Sequence, residues 1–200
     1  MLRAKLNTTR RALRRSAFLT REDGNITIEA MIMMPLLFWT YLAMFTFFDA
    51  FHQNSLNQKA AFTIGDAISR ETNPINDAYL DGAKGLFDYL VHARGDSSLR
   101  VSSIRYDLTT DKFYRDWSQV RGSVPPLSND DVAQAHAWLP AMPDREYVVL
   151  VETWNNFEPV FNVGLEQRDI HNVVFTRPRY ASCVLWDDGG EDTENTCISD

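Results

Sequence analysis

The sequence predicts an α+β fold: one long N-terminal helix, membrane-spanning in its first part, running into a domain with a second helix and about four antiparallel strands. Three observations carry this. Ala30–Phe48 is a run of nineteen residues without a formal charge. At about 1.5 Å per residue such a helix crosses a hydrocarbon core of ~30 Å. Apolar residues then recur at helical spacing (Leu56, Ala60, Ile64, Ala67, Ile68), which extends the helix to about Arg70 with one face on a folded body. From Leu99 onward the period shortens to strand-like alternation.

Residues 1–24 carry seven arginines and lysines against Glu22 and Asp23, while the whole chain has a net charge of −7. This stretch is a polar leader with no core of its own. Read alone it mimics a nucleic-acid-binding arm. Directly before a membrane segment it reads as an inside-facing anchor, and the acidic body speaks against nucleic acid as a partner. The apolar run exceeds the ~7–15 residues of a cleaved secretory signal core and no A-x-A-type site follows it, so it reads as a retained anchor. The expected organisation is a cytoplasmic leader (1–24), a transmembrane helix (25–51) and an exported domain (52–200). Pro35 falls inside the helix and predicts a kink. Phe45, Phe47, Phe48 and Phe51 at the outer end suit an interfacial aromatic belt.

Asn73-Pro74 predicts a helix restart with asparagine as cap, followed by Ile75, Tyr79, Ala83, Leu86, Phe87, Leu90 and Val91 on one face and a stop at Gly95. Residues 99–108 and 113–120 read as a hairpin about Thr109-Thr110-Asp111. Val124-Pro125-Pro126 breaks it, and Ser128 caps a short helix bearing Val132, Ala135 and Trp138. Residues 146–154 form the most apolar strand, expected at the sheet centre. A loop or short helix at 155–170 leads to a last strand over 172–186, with Pro178 marking an edge or bulge. The layout places the helices on one face of the sheet.

The two cysteines, Cys183 and Cys197, lie on the exported side, where a close pair forms a disulfide. Two free thiols and half of a metal site are the alternatives, and the spacing fits no zinc pattern. The histidines (His52, His92, His136, His171) are scattered, and no nucleophile elbow, zinc-protease helix or phosphate loop is present. Glu152 and Glu158 read as solvated face. The acidic stretch from Asp187 resembles a calcium loop in composition without the spacing of one. No enzyme activity, cofactor or metal is expected.

A membrane-embedded carboxylate is costly and needs a reason. Gly24 is followed by Asn25-Ile26-Thr27-Ile28-Glu29, with no second charge until Asp49. This arrangement resembles the processing motif of type IV prepilins, in which a membrane aspartyl peptidase cuts after the glycine. Glu29-Ala30-Met31-Ile32-Met33-Met34-Pro35 places proline six residues past the glutamate and eleven past the glycine. It is similar to the heads of TadE/TadG/TadF-type minor pseudopilins of the tight-adherence (Flp) pilus system. Ala30 stands where that family commonly has an aromatic residue, and Met31 where alanine is frequent. The resemblance covers about residues 21–51.

It implies a pilin-like αβ roll for the body, processing between Gly24 and Asn25, and a role for Glu29 in pairing with the N-terminal amine of a neighbouring subunit. The implied partners are the membrane, a prepilin peptidase and other pilins and minor pseudopilins. The implied location is the bacterial inner membrane, single-pass, with a periplasmic C-terminal domain or incorporation in a pilus. Two other readings stand beside it: an uncleaved signal-anchored envelope protein with a binding or scaffold domain, whose Glu29 merely reaches back to the interface, and an anchored hydrolase without a recognisable motif.

Overall fold

The computed structural model describes residues 25–93, 95–133, 139, 141–189 and 197. The leader with Gly24, the expected helix residues Ala135 and Trp138, His136, and the acidic residues Glu191, Asp192 and Glu194 lie outside the described residues. In chain order the elements are α1 (Asn25–Ser69), α2 (Asp77–Val91), β1 (Ser97–Asp107), β2 (Lys112–Arg121), α3 (Asn129–Ala133), β3 (Tyr147–Phe157) and β4 (Arg168–Thr176). The strands form one antiparallel sheet in the order β2-β1-β3-β4. The fold is α+β.

α1 has 45 residues and continues past Pro35, which makes it about 68 Å long. Ile26 through Tyr41 are exposed on every side of the helix. Further along, Asn57, Ala60, Ala61, Ile64 and Ile68 are buried against β3 and β4. Two residues of the expected stripe differ. Leu56 is half-buried and Ala67 exposed, because the buried stripe runs through Asn57, whose Nδ2 donates to the Ile170 carbonyl at 3.1 Å. Gly65 faces the sheet, where a Cβ would meet Val174, Thr176 and Val151 at ordinary contact distances of 3.6–3.9 Å.

α2 starts later than expected. Its cap is Asn76, whose Oδ1 accepts from the Tyr79 N–H at 3.0 Å. Asn73 and Pro74 precede it in a non-helical stretch, because Ile75 is held extended by a bridge to Trp186: its N–H donates to Leu185 and its carbonyl accepts from Asp187. The helix ends at His92, in a left-handed conformation (φ 51°), before Gly95 is reached.

The β1–β2 hairpin turns through Thr109–Asp111 as expected, with a bulge where Ser103 pairs with Trp117 and Ile104 with Arg115. Gly122 closes β2 at φ 124°, where any Cβ would overlap the Ser98 backbone. Ser128 does cap α3: its Oγ accepts from the Asp131 N–H, and its own N–H donates back to the Asp131 carboxylate. The Ser128 hydroxyl, which donates to the Asp131 carboxylate at 2.6 Å, and then the Ser128 N–H hold that carboxyl below its ordinary pKa.

The sheet is covered on both faces, not one. α1, α2, Val184 and Trp186 pack on Leu99, Val101, Val149 and Val151. Leu127, Val132, Leu139 and Met142 pack on Ile104, Val148 and Leu150 across the opposite face. β3 is therefore central, as its apolarity requires.

β3 and β4 both extend into the region expected as loop, leaving a connection at 158–167. Side-chain hydrogen bonds among Asn156, Asp169 and Gln167 hold that extension together. β4 ends at Thr176, well short of Trp186. Pro178 has no N–H to continue the ladder, and the Arg179 N–H instead donates to the Ser69 carbonyl at the end of α1.

Candidate functional site

The described residues named by the sequence lie at opposite ends of the molecule. Asn25 begins α1, and Glu29 and Pro35 are in its bare part. Cys183 and Cys197 are joined as a disulfide with Cα atoms 5.7 Å apart. That bond closes the segment that lays Val184 and Trp186 into the core, and Trp117 Nε1 donates to the Val184 carbonyl at 2.8 Å.

Glu29 is exposed and follows Asn25 by four residues on α1. That spacing is about one helical turn. The first turn itself holds no acidic residue, so Glu29 sits just beyond the zone where the helix dipole favours an anion. Among the described residues nothing packs against this helix from Ile26 to Tyr41, all of which are exposed. It has the length and composition of a single membrane anchor.

Where α1 reaches the folded domain, a cleft of about 280 Å³ opens between Asp49 and Gln53 on the helix, His92 after α2, and Asn155–Val160 at the end of β3. Glu158, Pro159 and Val160, which begin the connection to β4, are part of its lining. Phe161 contacts Phe45 of α1 edge-on, with ring centroids 6.2 Å apart. On the same stretch of α1, Thr46 is 1% exposed and Leu42, Ala43, Asp49 and Ala50 are half-buried. The Thr46 hydroxyl is satisfied by the Leu42 carbonyl at 2.9 Å.

A second polar cluster lies on the sheet face away from α1. Glu152, expected to be solvated, is 4% exposed. Its Oε2 accepts from Arg100 Nε at 2.6 Å, and Oε1 lies 3.6 Å from His171 Nε2. Arg100 also donates to the Pro125 carbonyl and lies over the Trp154 ring, on which His171 stacks at 4.6 Å between centroids. Register explains the burial: Arg100 pairs with Glu152 across β1–β3, and Trp154 with His171 across β3–β4. The cluster ties three strands together. Its contacts among the described residues are those of a cross-strand clamp. Among the described residues no group of three histidine, cysteine or acidic side chains is placed to hold a metal ion.

Comparison with protein-family models, with curated proteins and with solved structures finds no match to this chain.

Proposed function

We propose that this chain is a minor pseudopilin that takes part in assembling a tight-adherence (Flp) type IV pilus after a prepilin peptidase removes residues 1–24. The observation that supports this reading is the bare, apolar first part of α1 carrying one carboxylate, Glu29, a single turn beyond Asn25. Cleavage between Gly24 and Asn25 frees an α-amine with a reference pKa near 8, cationic at neutral pH. An unpaired carboxylate at the centre of a membrane helix costs about 2.5–3.5 kcal/mol on insertion scales, and less near the interface. An ammonium group from a neighbouring subunit offsets that cost and sets the axial register between subunits. The inner membrane holds the subunit until assembly, with the domain beyond α1's apolar part on the periplasmic side.

A second reading is an uncleaved, anchored envelope protein whose domain binds or scaffolds another component. Exposed Val173 and Phe175 on the outer sheet face, beside a cavity lined by Ala141, Val148, Arg177 and Arg179, favour it.

Substitution separates the two. Gly24→Ala is expected to leave the chain at full length in cells with active peptidase. Glu29→Ala is expected to be cut normally yet to reduce piliation. Normal piliation of Glu29→Ala would remove the proposed docking role, and a size unaffected by Gly24→Ala would remove the proposed cut.

A further inference from the structure

We propose that the loop between β3 and β4 is a second membrane contact, with Val160 and Phe161 seated at the headgroup–acyl boundary of the outer leaflet beside α1. The inference rests on reading α1 as the membrane span, and the geometry then fixes a depth for the loop.

Glu29 and Asp49 are the charges that bound the apolar run, and Trp39 is midway between them. A ~30 Å hydrocarbon core centred on Trp39 ends about ten helical residues to either side, near those two charges. Phe45 is six residues from that midpoint, or about 9 Å, which puts it about 6 Å inside the boundary. The Phe161 ring is 6.2 Å from that of Phe45. Even displaced from Phe45 wholly along the membrane normal, Phe161 reaches only about the hydrocarbon edge. Tilting the helix brings it closer to the midplane.

The chemistry of the loop matches that depth. Glu158 and Glu166 flank it, and the seven residues between them, Pro-Val-Phe-Asn-Val-Gly-Leu, carry no charge. Val160 is 55% exposed and Phe161 37% exposed. Loops in water are usually polar at the tip, and an apolar tip flanked by acids suits an interface where one end is dry and the other wet. The two contacts, helix and loop, would hold the domain in one orientation on the membrane.

The test uses the full chain with its disulfide intact, so that an introduced cysteine is the reactive thiol. Val160→Cys, Phe38→Cys and Leu108→Cys are each labelled with an environment-sensitive fluorophore and reconstituted in phosphatidylcholine–phosphatidylglycerol vesicles. Phe38 is in the middle of the apolar run, and Leu108 is exposed at the far end of the hairpin. Lipids bearing a nitroxide quencher near the headgroup are expected to dim the label at 160 by roughly twofold or more. The label at 38 should respond to a quencher deep in the chain, and the label at 108 to neither. A label at 160 that behaves like 108 while 38 is quenched would overturn the loop contact alone. A dry label at 160 that no lipid quenches would overturn it in favour of a second protein copy. Loss of quenching at 38 would overturn the anchor and this proposal together.

Discussion

Residues 26–41 and 57–69 belong to one unbroken helix, yet the first stretch is exposed all round while the second buries Asn57, Ala60, Ala61, Ile64 and Ile68 along one side. Composition explains the difference. Beyond Glu29 the first stretch is apolar on every side, with Thr40 its one polar residue, and has no polar face to turn to water, as a membrane span would require. The second alternates apolar and polar residues at helical period, as a surface helix of a folded domain does. On the membrane-anchor reading one backbone element serves two solvents, and the change of pattern after Phe51 is where one would give way to the other.

The comparison is tested first by paired truncations. Ile64→Ala removes a side chain enclosed by the sheet and is expected to lower domain stability by about 2–5 kcal/mol. Leu37→Ala, in the bare stretch, is expected to change it by less than about 0.5 kcal/mol. Urea titration of both variants in detergent measures this; equal losses would break the distinction.

Next is the disulfide, which pins the strap over the packed half only. Joint replacement of Cys183 and Cys197 by serine reopens a fourteen-residue separation and is expected to cost about 3 kcal/mol, read as a lower denaturation midpoint. Membrane insertion should be unchanged.

Gly65 gives a smaller, signed effect. Its absent Cβ faces ordinary contact distances, so Gly65→Ala is expected to be neutral or to stabilise by up to about 1 kcal/mol through helix propensity. Gly65→Leu is expected to push α1 off β3 and β4 and to destabilise by about 1–3 kcal/mol. A stable leucine variant would show that the helix does not approach the sheet as described.

The smallest effect is a pH dependence at Tyr79. Burial, then Glu71, pushes its phenol from 10.0 up to about 12. Below pH 10 both states keep the proton and its contribution is intact. Between about pH 10 and 12 the unfolded chain releases the proton first, so stability falls as pH rises. Tyr79→Phe should flatten that part of the alkaline stability curve; an unchanged slope would mean the phenol is not so enclosed.

The long helix, the hairpin, the central strand and the cysteine pair were legible because each is set by local period, turn chemistry or compartment. The misjudged positions depend on partners far along the chain. Asn73 lost the capping role to Asn76 because Ile75 is held by Leu185 and Asp187. Glu152 is buried because Arg100 faces it from β1. Asn57 is in the core because β4 offers it a carbonyl. The apposition of Phe161 and Phe45 joins residues from opposite ends of the chain, so neither local pattern announces it. At the candidate site, the spacing of Asn25 and Glu29 was readable directly, since four residues make one turn of any helix.

The proposed function turns on whether Asn25 becomes an N-terminus. Intact-mass measurement of the membrane-extracted protein, from cells with and without active prepilin peptidase, decides it. The account predicts loss of residues 1–24 only when the peptidase is active, leaving a chain that starts at Asn25, with or without a methyl group. A chain still starting at Met1 in the presence of active peptidase would contradict it.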